Sequence, residues 1–129
     1  CKSDNLYACN NLGFLHAEGR GVAQDYKKAS EYYQKACDGK LGMGCDNLGL
    51  LYASGQGVMK DYKKASSFYE AACNNNYERG CNNLGILYAE GKGVNLDMEK
   101  ARELFKKSCD KGLQVGCENM RIIDSPHAK

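Results

Sequence analysis

The residues best placed to do chemistry in this 129-residue chain are its eight cysteines. They stand at positions 1, 9, 37, 45, 73, 81, 109 and 117, as Cys-x7-Cys pairs that recur every 36 residues. Thiols in that number join as disulfides or hold a metal. Zinc-binding cysteines usually sit two to four residues apart, so the spacing reads as a disulfide framework with no metal ligand set. Histidine is scarce. His16 falls at a position that other copies of the pattern fill with tyrosine, which favours a packed or half-buried structural residue over a general base, and His127 belongs to a tail. No group of histidine, cysteine and carboxylate converges for nucleophilic or metal chemistry. The chain is therefore expected to have no catalytic residues and no cofactor.

The elements that place these cysteines are repeats. "ACNNLGFLHAEGRGVAQD" at 8–25 returns as "GCDNLGLLYASGQGVMKD" at 44–61 and "GCNNLGILYAEGKGVNLD" at 80–97. Whole units run 9–44, 45–80 and 81–116, with 1–8 as the end of an earlier unit and 117–129 as a C-terminal capping helix and tail. In the first half of a unit, Cys45, Leu48, Gly49 and Tyr52 recur at i, i+3, i+4 and i+7, one face of a helix. Gly55-x-Gly57 stops it, and Asp61 is placed to cap a second helix. There Tyr62, Ala65, Tyr69 and Ala72 form the packing stripe, while Lys63, Lys64, Ser67 and Glu70 face outward. A lone helical hairpin cannot bury both stripes, so the units must stack. The fold class is all-α, an α/α solenoid of 36-residue helical hairpins in one domain.

Charge and hydropathy narrow the function classes. Lysine and arginine total 18 against 16 acidic residues, a net charge of +2, and the clusters Lys27–Lys28, Lys63–Lys64 and Lys106–Lys107 are interleaved with Glu31, Glu70, Glu99 and Glu103. That is a solvated helix face, not a nucleic-acid footprint. No apolar run approaches the roughly 20 residues that span a bilayer. The sequence as it stands opens on no basic, apolar, small-residue leader. Its start in mid-repeat implies that upstream repeats and a signal peptide precede it.

The pattern N-L-G-x-L-Y/H-A-x-G-x-G-V-x-x-D-x-x-K-A resembles the Sel1-like repeat, a relative of the tetratricopeptide repeat. With K-A-C at Cys37 and G-C at Cys45, it is similar to the Helicobacter cysteine-rich proteins and their Campylobacter relatives. The resemblance covers about residues 1 to 123. It implies a right-handed α-solenoid, export to a secreted or periplasmic location, one disulfide per repeat, and a peptide or protein ligand. It also implies an alternative, since some members are described as penicillin-binding proteins or slow β-lactamases, with a β-lactam or cell-wall peptide as ligand. Two positions depart from the pattern: His16 stands for the tyrosine at Tyr52 and Tyr88, and Arg121 for the glycine at Gly13, Gly49 and Gly85. Arg121 would push a further helix away, which marks 117–123 as the last helix of the stack.

Eight cysteines admit 105 pairings, of which the repeat leaves two regular choices. Pairing across Cys-x7-Cys gives Cys1–Cys9, Cys37–Cys45, Cys73–Cys81 and Cys109–Cys117 with nothing left over. Pairing within a unit, as Cys9 with Cys37, strands Cys1 and Cys117. The first choice staples each unit's second helix to the next unit's first, and closing such a nine-residue loop is worth about 2.6 kcal/mol in the chain-entropy model. Serine β-lactamase chemistry would need Ser-x-x-Lys, Ser-Asp-Asn and Lys-Thr-Gly elements together. Ser108-Cys109-Asp110-Lys111 and Ser3-Asp4-Asn5 match two of them but lie three repeats apart, about 30 Å at ordinary helix spacings. Both are chance matches.

The first helices are expected to line a concave groove. Asn10, Asp46, Asn82 and Glu118 form one row along it, and Asn11, Asn47, Asn83 and Asn119 a second. Such a ladder has donors and acceptors that could grip a peptide backbone, beside an apolar floor of Phe14, Leu50, Ile86 and Ile122 and a rim of Tyr7, Met43 and Arg79. The alternative is that each asparagine bonds the backbone of the neighbouring repeat and only tunes stacking.

Overall fold

Asp25, Asp61 and Asp97 each turn a carboxylate oxygen back to the amide of Lys28, Lys64 and Lys100, at 3.0 Å in every case. Each thereby satisfies an orphan donor at the start of a second helix. First helices end on Gly19, Gly55 and Gly91, all in the left-handed region that only glycine occupies without strain. These signals set the element order. The computed structural model, which describes Cys1 and residues 5–124, runs α1 (Leu6–Glu18), α2 (Tyr26–Asp38), α3 (Gly42–Ser54), α4 (Tyr62–Asn74), α5 (Glu78–Glu90), α6 (Met98–Asp110) and α7 (Gln114–Asp124). Ser3, Asp4 and His127 lie outside the described residues.

Each helix packs on its neighbours in sequence, and α3 also touches α5, so the hairpins α1–α2, α3–α4 and α5–α6 stack into an α/α solenoid, with α7 packed on α6. The hairpins begin at residues 6, 42 and 78, three ahead of the units framed on cysteine, a difference of phase in a periodic chain. Leu48, Leu51, Tyr33 and Ala29 form one buried cluster, and Leu84, Leu87, Tyr69 and Ala65 form the next. Tyr52 stacks on Phe68 at 5.5 Å, and His16 stacks on Tyr32 at 5.6 Å in the equivalent place one repeat earlier. His16 is thus a packed ring standing in for a tyrosine.

Two glycine positions hold the hairpins together. A Cβ on Gly49 would meet the Tyr69 ring at 2.6 Å, so the absence of a side chain lets α3 and α4 close around that ring. Its equivalents Gly13 and Gly85 do the same for Tyr33 and Phe105. Arg121 occupies this position in α7, where it is exposed. Gly57 and Gly93 have φ of 75° and 74°, and a Cβ there would run into the backbone of Tyr26 and Tyr62 one repeat earlier. In the second and third Gly-x-Gly the second glycine therefore seats one repeat's loop on the start of the preceding second helix, whereas a Cβ on Gly21, the equivalent residue of the first, would meet nothing within 4 Å.

The cysteines pair as Cys1–Cys9, Cys37–Cys45, Cys73–Cys81 and Cys109–Cys117, each eight residues apart, with none free. The last three join the end of a second helix to the start of the next first helix. Arg102 adds a two-pronged contact from α6 to Asp124 of α7, at 2.6 and 3.0 Å.

Candidate functional site

The two asparagine rows meet each other. Asn47 Nδ2 donates to Asn10 Oδ1 at 2.9 Å, Asn83 Nδ2 to Asp46 Oδ1 at 2.8 Å, and Asn119 Nδ2 to Asn82 Oδ1 at 2.9 Å. Every rung links residue i to i+37, from one first helix to the next. Asn10, Asp46 and Asn82 are buried behind the rungs, Asn47, Asn83 and Asn119 are half-buried, and Asn11 is exposed. Bonding between neighbouring repeats is therefore real, but these rungs run side chain to side chain and not to the neighbour's backbone as expected. Each donor residue spends one N–H on its rung and keeps an amide oxygen and a second N–H.

The middle rung differs. Asp46 is 1 % exposed, and burial pushes its carboxyl up from 3.8 to about 6, against the lowering effects of the Asn83 hydrogen bond and the Arg79 charge. Burial, and then the charge of Asp46, also raises the Tyr69 phenol. Arg79 stands where Met43 stands one repeat earlier, and there Met43 Sδ accepts from Asn10 Nδ2 at 3.2 Å. Acid and guanidinium thus replace amide and thioether together.

Beside the ladder lie two hollows in register. One, of about 210 Å³, is walled by Tyr26 and Tyr33 and lined by Phe14, Leu50, Asn47 and Gln56. The other, of about 270 Å³, is walled by Tyr62 and Tyr69 and lined by Leu50, Ile86, Asn83 and Lys92. Adding 36 to each residue of the first gives the corresponding residue of the second. Leu50 belongs to both. Phe14 and Leu50 are 44 % and 43 % exposed, so the apolar floor is open. Ile122 and the rim residues Tyr7, Met43 and Arg79 are exposed as well.

The rims of the hollows differ in charge. Glu18 lines the first, and Gln24 bonds the Tyr26 hydroxyl at 3.1 Å. At the second, Lys60 and Lys92 lie 5.0 and 5.3 Å from the Tyr62 ring centre. A hydrogen bond from Lys60, followed by the charges of both lysines, holds the Tyr62 phenol below its ordinary range. Glu90 pairs with Lys92 at 3.4 Å. The packing stripe expected at Tyr62 thus gives a half-buried ring that faces lysines. Lys60 is local to Tyr62, but the second lysine is not legible there, because Lys92 comes from the following repeat.

Ser108 presents no nucleophile: it is fully buried and donates to the Phe105 carbonyl at 2.9 Å, and the adjacent Cys109 is in a disulfide. Among the described residues, no cluster of histidine, cysteine or acid could hold a metal ion, and no helix is long and apolar enough to cross a membrane.

The Sel1 repeat family model matches residues 6–41, 42–77 and 79–113. No curated protein matches the chain. Among solved structures, the chain is similar to a protective antigen present in uropathogenic Escherichia coli strains that displays an SLR fold, at 32% identity and a TM-score of 0.86 over 89% of this chain and 25% of that one. It is similar to a Sel1 repeat protein from Oxalobacter formigenes, at 27% identity and a TM-score of 0.86 over 90% of this chain and 48% of that one. It is also similar to Helicobacter pylori cysteine rich protein B, at 34% identity and a TM-score of 0.75 over 88% of this chain and 86% of that one. The chain spans about a quarter of the first of these and about half of the second. Helical hairpins at a 36-residue period, a disulfide at each junction and three matched repeats lead to one conclusion: the chain belongs to the Sel1 repeat family.

Proposed function

We propose that the chain is an exported interaction scaffold, secreted or periplasmic, that holds a peptide or protein segment along the face lined by α1, α3, α5 and α7. The observation that carries this reading is the pair of register-equivalent hollows with an exposed apolar floor. A surface with no partner would leave Phe14 and Leu50 in water at a cost that burial under a ligand removes. Asn47 and Asn83, with their unspent amide groups, line the same hollows and are suited to a ligand's backbone. Asn10, Asp46 and Asn82 act from behind by orienting them, while Asn11, Asn119 and Arg79 extend the polar edge. Export is supported by four disulfides, which persist in oxidising compartments. No observation favours β-lactam chemistry.

The test uses Leu50, the residue common to both hollows. The oxidised protein is panned against a random peptide library beside Leu50→Lys. Peptides should be retained by the native chain and lost by the variant. The variant's melting point should stay within a few degrees, since a side chain this exposed carries little packing. Retention of the same peptides by both proteins, or enrichment by neither, would sink the reading.

A further inference from the structure

We propose that the occupant of this face is a polyproline-II segment with apolar side chains three residues apart and an acidic residue beside the anchor held between α3 and α5. The inference rests on the groove reading above and goes on to name the ligand's conformation, spacing and charge.

The first argument is pitch. The two hollows are equivalent points on successive repeats, whose first helices are joined side chain to side chain by the rungs Asn47–Asn10 and Asn83–Asp46, and helices in contact lie about 8–10 Å apart. A ligand running along the stack must therefore present side chains to one face at that interval. A β-strand returns to the same face every second residue, at about 6.6 Å or about 13 Å, and misses both ways. A polyproline-II helix returns every third residue at about 9.3 Å. Its pitch fits.

The second argument is chemistry. Each hollow is walled by two tyrosines, Tyr26 with Tyr33 and Tyr62 with Tyr69, and polyproline-II segments dock on aromatic-lined grooves. That helix has no internal hydrogen bonds, so its carbonyls need outside donors, and Asn47 and Asn83 line one hollow each. At about 210 and 270 Å³ the hollows fall below the roughly 300–1,000 Å³ of pockets for drug-sized molecules. They suit single side chains.

The third argument is charge. The hollow between α1 and α3 has Glu18 at its rim, with glutamines at 24 and 56. One repeat on, lysines replace both glutamines, as Lys60 and Lys92, and Glu90 offsets only one of them. An acidic residue on the ligand is attracted to the second hollow and repelled from the first, which sets the register of the peptide.

Fluorescein-labelled peptides with a proline-alanine host and two leucines test this by anisotropy. The leucines are placed two, three or four residues apart, and Glu, Gln or Lys is set beside one or the other. Three-residue spacing should bind about tenfold more tightly than the others, as expected for a second buried aliphatic anchor. Glu beside one leucine should bind about fivefold more tightly than Lys at low salt. Lys60→Gln with Lys92→Gln should erase the Glu preference and keep the spacing preference; both lysines are exposed, so the fold is unaffected. Equal binding at all spacings, or a Glu preference that survives the double variant, overturns the proposal. If library peptides still depend on Leu50 in that event, the groove reading stands without it. If no peptide depends on Leu50, both fall.

Discussion

The joint between the first two hairpins and the joint between the second and third are built alike and balanced differently. Both carry a staple of the same geometry, with Cα atoms 4.5 Å apart for Cys37–Cys45 and 4.6 Å apart for Cys73–Cys81. Both have a glycine against an alanine beside it, Gly44 on Ala36 and Gly80 on Ala72. Both have an asparagine donating across the joint, at 2.9 and 2.8 Å. What changes is the acceptor, an amide at Asn10 and a carboxylate at Asp46. Backbone geometry hardly registers the exchange, but the free energy does. The buried amide of Asn10 is neutral and has a donor in Asn47 and an acceptor in Met43, whereas a buried carboxylate at neutral pH keeps a desolvation penalty that a single neutral donor and a nearby Arg79 only partly offset. One fold thus contains a pH-indifferent joint and a pH-sensitive one.

Making the second joint like the first should have the largest effect. Asp46 ionises near 3.8 in the unfolded chain and at about 6 when folded, so the folded state holds the proton longer. Its contribution is fully present below the unfolded value and is lost as pH rises to about 6. Above that the loss is constant, at about 3 kcal/mol for a shift of this size. Asp46→Asn should therefore raise stability at pH 7.5 by about 2–3 kcal/mol and flatten the fall between pH 4 and 6. Urea titrations of both proteins at a series of pH values measure this. A variant that keeps the native slope would mean that the two joints are electrostatically equal.

Removing the donors should have a smaller and unequal effect. Asn83→Ala leaves a buried carboxylate without its hydrogen bond and should cost about 2 kcal/mol at pH 7.5, while Asn47→Ala breaks a neutral rung and should cost about 1 kcal/mol. In the Asp46→Asn background the two costs should converge. Equal costs in the native background would show that Asp46 does not depend on its rung.

Much of this was legible before any coordinates. The aspartate caps, the Gly-x-Gly stops and the cysteine pairing follow from chemistry local to one unit or from strict period, and the solenoid follows because a single hairpin cannot bury its stripes. The asparagine rows were also legible, but not their relation. Period marks which residues are equivalent, and the rungs join residues that are not, Asn83 to Asp46 across 37 positions. Whether a first-helix asparagine faces solvent or a neighbour depends on the stacking angle, which no single unit encodes. The hollows are composite for the same reason. Leu50 serves two of them, and Lys60 and Lys92 converge on Tyr62 only because the loop at Gly93 seats on the start of α4. The departure at Arg121 was legible as a position but not as a contact, since the ring its glycine equivalents receive comes from a second helix.

The smallest expected effect isolates Arg79. It is exposed, and it lies near Asp46 without forming a close ion pair among the described contacts. Its influence is a long-range lowering of the Asp46 carboxyl, screened by solvent. Arg79→Met places the first joint's side chain at the second joint and removes that influence. Stability at pH 7.5 should drop by about 0.5 kcal/mol, the ordinary size of an exposed charge pair. At pH 3.5 the folded chain holds Asp46 protonated, so Arg79 has no Coulombic partner there and the drop should vanish. High salt should shrink it as well. Combining Arg79→Met with Asp46→Asn closes a double-mutant cycle whose coupling should equal nearly the whole single-variant effect. A loss that persists at pH 3.5, or in the Asp46→Asn background, would assign Arg79 to packing of its aliphatic stem. The correlated exchange of Asn10 with Met43 for Asp46 with Arg79 would then be two independent substitutions.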